Sequence, residues 1–167
     1  MPDEYLLKIC VLCCPDELLT QSLRSYADGG MEPSYRFTLG FTVPIKTIKI
    51  DNNSIKLILF DISTGPTNPN LFRGASGAVF AFSKGNHSFV RSAIEHYHEF
   101  RQHIPESAIA FVGLHDDSEV VTQAEGQSLA QELGVDYFEM AIDDLQTLDA
   151  VVRSLVQKVL IHKGQSV

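Results

Sequence analysis

Three short apolar runs, at residues 5–13 (YLLKICVLC), 77–82 (GAVFAF) and 108–114 (AIAFVGL), are separated by stretches whose apolar residues recur at helical spacing. A strand that reads as a continuous apolar run is buried on both faces, as central parallel strands are when helices cover each side of the sheet. The helical stretches are residues 18–26, with Leu18, Leu19 and Leu23 on one stripe, and 87–103, with Phe89, Ala93, Ile94, Tyr97 and Phe100. A third begins at Thr122, where Glu125 completes a capping box, and ends at Gly134. The fourth, residues 145–161, turns Leu148, Val151, Val152, Leu155, Val159 and Leu160 inward. Gly29 and Gly30 are expected to end the first.

Residues 42–50 and 55–60 flank Asp51-Asn52-Asn53, which predicts a hairpin, and Pro44 within the first marks it as an edge strand. Residues 137–141 form a last short strand. The alternation predicts one three-layer α/β domain over residues 1–167, with a six-stranded, mostly parallel sheet, an antiparallel edge strand and flanking helices.

Charge narrows the function classes. Residues 102–152 hold eleven acids and no lysine or arginine, and the chain carries a formal net charge of -8. Such a chain repels phosphate backbones and anionic lipid heads, so no nucleic-acid partner is expected. Cys10, Cys13 and Cys14 crowd one segment with no second cluster to pair with, as reduced thiols of a cytoplasmic protein would. Cys10 and Cys13 have the spacing of half a zinc site but lack the other half, so no metal is expected from them. No run reaches the ~20 apolar residues of a membrane span. The charged start does not resemble a signal peptide, and the last residues contain no cysteine for prenylation, so no direct membrane anchor is expected.

Ligands of an open parallel sheet bind where strands end and helices begin. Over residues 8–40 and 72–160, and most tellingly in YADGGMEPSYRFTLGF (26–41), KTIKIDNNSIKLILFD (46–61), FRGASGAVFAF (72–82) and ELGVDYFEM (132–140), the chain resembles a Ras-superfamily small GTPase, closest to the Rab branch. The resemblance implies the P-loop NTPase-like fold and a guanine-nucleotide site with magnesium. It also places the family's motifs on particular residues.

The phosphate loop, G-x-x-x-x-G-K-[ST], falls on residues 13–20. Cys13 and Leu18 stand for its glycines, Leu19 for its lysine, and Thr20 keeps the magnesium-binding hydroxyl. Glycines let consecutive N–H groups curl around phosphate while the lysine neutralises it. Here Pro15 removes an N–H, and Asp16 and Glu17 add negative charge. A charge-assisted hydrogen bond contributes about 1.5–3 kcal/mol, so losing the lysine alone weakens binding by roughly ten- to a hundred-fold. The guanine motif N-K-x-D falls on Leu114, His115, Asp116 and Asp117, of which only Asp117 matches; an acid, Asp143, replaces the lysine of the later S-A-K. Thr38 and Gly40 match the first switch and Asp61 the acid of D-x-x-G, but Gly65 or Pro66 stands where the catalytic glutamine would be.

These departures predict a catalytically dead Rab/Ras-like pseudo-GTPase without a cofactor, in which no residue is catalytic and Thr20, Thr38, Asp61 and Asp117 are vestigial. Its work would be protein interaction or complex assembly; the resemblance implies a setting in membrane or ciliary trafficking, in the cytoplasm and recruited to membranes or cilia through partners. The resemblance places a partner surface on Phe41, Val43, Phe60, Leu71 and Phe72, although these side chains could instead pack under the loop after Asp61. The alternative is a divergent GTPase that still binds GTP or GDP weakly with magnesium through Thr20, Thr38, Asp61 and Asp117. A phosphate-accepting receiver domain fits less well, because no acidic pair closes the first strand. Spacing alone assembles no Cys/His or Ser/His/Asp grouping, and His96 and His98 face apart on a helix.

Overall fold

The computed structural model describes residues 4–15, 18–27, 44–62 and 69–162. Within them, strands β1 (Glu4–Cys14), β2 (Ile45–Ile50), β3 (Asn53–Asp61), β4 (Ala75–Ser83), β5 (Ala108–Leu114) and β6 (Asp136–Met140) form one sheet in the order β2-β3-β1-β4-β5-β6. β2 runs antiparallel to β3 at the edge, and every other neighbouring pair is parallel. The helices are α1 (Thr20–Tyr26), α2 (His87–His103), α3 (Gln123–Leu133) and α4 (Leu145–Leu160), with a 3-10 turn at Pro69–Phe72. This is the expected six-stranded mixed sheet of the small-GTPase fold.

The period-two geometry of a strand sends alternate β1 side chains to opposite cores. Leu7, Ile9, Val11 and Cys13 meet Leu19, Leu23 and Tyr26 of the α1 region and Leu148, Val152 and Leu155 of α4. Cys10, Leu12 and Cys14 meet Ala93, Tyr97 and Phe100 of α2, with Leu129 and Leu133 of α3 alongside. The apolar run at the start of the chain is therefore the central strand, buried on both faces. Cys10, Cys13 and Cys14 are all buried, and none forms a disulfide among the described residues. Burial pushes the Cys10 thiol up to about 12, with the Lys8 ammonium opposing the shift only in part.

Local signals set most boundaries. Ile50 pairs with Asn53 across a tight turn in which Asp51 has φ 55°, a left-handed conformation that aspartate tolerates. Pro44 lies just before β2, and its carbonyl accepts the Leu59 N–H at 2.9 Å. The Asn86 side chain caps α2 by accepting the Ser88 N–H. Thr122 and Glu125 form the capping box of α3, and Gly134 closes it at φ 72°. α1 starts at Thr20, later than the apolar pattern suggests, and ends at Tyr26; Gly29 and Gly30 lie outside the described residues.

The second core is aromatic. Phe72, Phe80, Phe100 and Phe111 are all fully buried, and Phe100 meets Phe72 and Phe80 edge-on at 5.1 and 5.7 Å between centroids. Two residues expected on a partner surface belong to this core. Phe72 has no exposed area and Phe60 only 8%, with the Lys8 ammonium 4.4 Å from the Phe60 ring centroid. The 3-10 turn carries Phe72 beneath α2, so packing wins over display at both positions. No helix among the described residues is long and apolar enough to cross a membrane.

Candidate functional site

β1 lies between β3 and β4, so the strand order reverses at its carboxyl end, which is where ligands of open α/β sheets bind. The chain leaves β1 at Cys14 and re-enters regular structure at Thr20, beside the end of β3. There the Thr20 hydroxyl donates to Asp61 Oδ2 at 2.7 Å, and the Asp61 residue is 1% exposed. The sequence thus brings together two of its four proposed ligand positions. Thr38 lies outside the described residues, as do Phe41 and Val43.

α1 is anchored by its buried face. Leu19 is 1% exposed and sits in the first core with Leu23 and Tyr26, so the place the resemblance gives to a phosphate-neutralising lysine is used for packing. The Tyr26 hydroxyl donates to Asp149 Oδ1 at 2.6 Å, tying α1 to α4, and burial together with that bond pushes the phenol's pKa up. The Ser22 hydroxyl donates to the carbonyl of Ile142 in the loop after β6.

The loop after β5 carries Asp117, which is exposed. Around it the Asp116 carboxylate accepts the Ser118 N–H at 2.9 Å and the Ser83 hydroxyl at 3.2 Å, and the His115 N–H donates to the Met140 carbonyl at 3.0 Å. Asp116 also abuts Gly85, where a Cβ would come within 2.9 Å of its carboxyl carbon. Leu71, the remaining candidate for partner contact, is half-buried, and its carbonyl accepts the Lys8 ammonium at 2.5 Å.

Residues 20–161 match the sequence model of the Ras family. The chain belongs to the Ras family. It is 25% identical to human Ras-related protein Rab-3A, over 93% of this chain and 76% of that one. It is 22% identical to Ras-related protein RAB1BV of Beta vulgaris, over 93% and 77%, and 24% identical to Ras-related protein SEC4 of Saccharomyces cerevisiae, over 80% and 66%. The chain is a Rab-like small GTPase.

Family membership overturns two expectations from the motif losses. Ras-family proteins are GTPases, so the reading that this chain is not an enzyme gives way. They bind GTP and GDP with magnesium, so the reading that it has no cofactor gives way too.

The described residues fit the metal half of such a ligand. A buried carboxylate beside a hydroxyl is a pair of hard oxygen donors, and magnesium takes one or two carboxylates and completes its shell with water and phosphate. In this Ras-family chain Asp61 and Thr20 have that chemistry. A cleft of about 590 Å³ lies elsewhere, at the amino ends of β4 and β5, and includes Ser76, Ser107 and Val159.

Two groupings escape sequence reasoning. The Cys14 thiol and His96 Nδ1 lie 3.7 Å apart across β1 and α2. At the end of β4, Lys84 is 3% exposed, with its ammonium 3.0 Å from Glu119 and 2.8 Å from Glu139. The usable signal was a lone lysine closing an apolar strand in a chain whose later acids have no basic neighbours. Lys158 with Asp136 and Arg153 with Asp149 repeat the theme, since each brings a base from outside residues 102–152 to an acid within them.

Proposed function

We propose that this chain is a divergent small GTPase that binds GTP or GDP weakly with magnesium and acts as a switch for protein partners in membrane or ciliary trafficking. The observation carrying the proposal is the bond from Thr20 to the buried Asp61 carboxylate at the carboxyl end of β3. These two residues would hold magnesium against the nucleotide's phosphates, with Thr38 completing the switch-side contact and Asp117 reading the base. Bound magnesium would offset phosphate charge, a role the chain cannot give to the buried Leu19. Affinity therefore falls well below that of a chain with a full phosphate loop.

The partner surface in this proposal is Leu71 with Phe41 and Val43, since Phe60 and Phe72 are taken by the core. The domain spans residues 1–167, works in the cytoplasm and reaches membranes through its partners.

Titration with fluorescent GDP, with magnesium and with excess EDTA, tests this function. Saturable binding that needs magnesium and is lost in Asp61→Asn is the expected result. No binding at millimolar nucleotide would overturn the proposal.

A further inference from the structure

Besides the bonds of Ser83 to Asp116 and of His115 to the Met140 carbonyl, the loop from residue 115 to 121 is held by the side chain of Lys84. Lys84 follows β4 and lies under the loop, where its ammonium bridges Glu119 of the loop and Glu139 of β6. Its backbone joins in: the Lys84 carbonyl accepts the N–H groups of Val120 and Val121 at 2.9 and 3.1 Å, while its own N–H donates to the Leu114 carbonyl at 2.9 Å. Glu119 passes the restraint onward. Its Oε2 lies 2.7 Å from His115 Nδ1 and accepts the Asp116 N–H at 3.2 Å, so both residues preceding Asp117 are fixed by the carboxylate that Lys84 holds. Glu139 is itself fixed by the Tyr137 hydroxyl, which donates to it at 2.6 Å.

A buried ammonium is costly unless paired, and pairing with two carboxylates on different elements makes it a cross-link rather than a surface ion pair. The three groups leave little freedom to the backbone on either side of Asp117. We propose that Lys84 is a positioning residue for base recognition, holding the loop in the shape that presents Asp117 to the guanine N–H groups. This rests on the nucleotide-binding function proposed above. Lys84 does not touch the base in this account; it acts through Glu119.

The test compares GDP with ADP for the full chain and for Lys84→Met, Asp117→Ala, the double variant and Glu119→Gln, with thermal melting to confirm folding. A carboxylate pairing with base N–H groups gives the wild type a preference for GDP of roughly tenfold or more. Lys84→Met and Glu119→Gln are expected to erase that preference while ADP affinity stays unchanged. Adding Asp117→Ala to Lys84→Met should then cost nothing further, because the two act on one contact. Glu119→Gln keeps Lys84 and Glu139 together and supplies the answer where Lys84→Met does not fold. A GDP preference that survives both variants, or additive losses in the double variant, would overturn the role of Lys84 and leave nucleotide binding standing. Absence of nucleotide binding in the wild type would remove both.

Discussion

The Thr20 hydroxyl and the Asp61 carboxylate are joined at 2.7 Å, linking the first residue of α1 to the last residue of β3. Few sequence positions separate Thr20 from the end of β1, so this bond ties the start of α1 to the end of β3. The same geometry serves stability and, in the function proposed above, would hold a metal.

Thr20→Val keeps the side-chain shape and removes that one bond. A hydrogen bond to a charged group contributes about 1.5–3 kcal/mol, so urea unfolding should show a loss in this range. Added magnesium and GDP should then rescue the variant less than the wild type, because stabilisation by a ligand follows its affinity for the folded state. Equal rescue in both proteins would separate Thr20 from the metal.

Acid should reveal the Lys84 cluster. Hydrogen bonds from Lys84 first and His115 second hold the Glu119 carboxyl down at about 2, against 4.5 for a free glutamate, with burial opposing. Its folded-state value is depressed, so its contribution is fully present above about pH 4.5 and is lost as pH falls towards 2. Burial works against the charge on Lys84, yet the bonds from Glu139 and Glu119 raise its pKa overall, so Lys84 stays charged throughout that window. Urea midpoints taken stepwise between pH 5 and pH 2 should fall less steeply for Glu119→Gln than for the wild type.

What the sequence reveals of this molecule follows from range. The bounds of α2 and β5 are legible because local features set them: the Asn86 cap and an apolar stripe for one, an apolar run between polar residues for the other. The start of α1 is not, because Leu18 and Leu19 fit a helical stripe whether they lie in its first turn or in the turn before it. Thr20 and Asp61 are legible through a family motif. Lys84 belongs to none, and its partners sit on the β5 loop and on β6, so only the folded sheet assembles them. Phe60 and Phe72 mislead for a related reason: aromatic residues near a family interface read alike whether they face a partner or the chain's own core.

Phe72→Ala tests that distinction. Truncating a fully buried phenylalanine typically costs about 3–5 kcal/mol, and Phe72 also loses its edge-on contact with Phe100. Leu71→Ala, half-buried in the adjacent position, should cost much less. Chemical denaturation of the two variants side by side measures the difference; a Phe72→Ala protein as stable as Leu71→Ala would put the ring back on the surface.

Gly126 offers a sharper test of how tightly β6 and α3 fit. Glycine inside a helix normally costs about 1 kcal/mol relative to alanine, so Gly126→Ala should stabilise α3 if space allowed. It does not: a Cβ at Gly126 would lie 2.2 Å from Tyr137 Cζ and 2.3 Å from its hydroxyl oxygen. The tyrosine cannot simply swing away, because its ring stacks on Phe82 and its hydroxyl donates to Glu139, the residue that pairs with Lys84. A Cβ at Gly113 would meet the same hydroxyl at 2.3 Å, so the other side is closed as well. Gly126→Ala is therefore expected to lower the melting temperature despite its better helix propensity. Combining it with Tyr137→Val should cost less than the two single changes summed, since the smaller side chain vacates the space the new methyl needs. Additive losses in that cycle would mean that α3 shifts away from the sheet to admit the methyl.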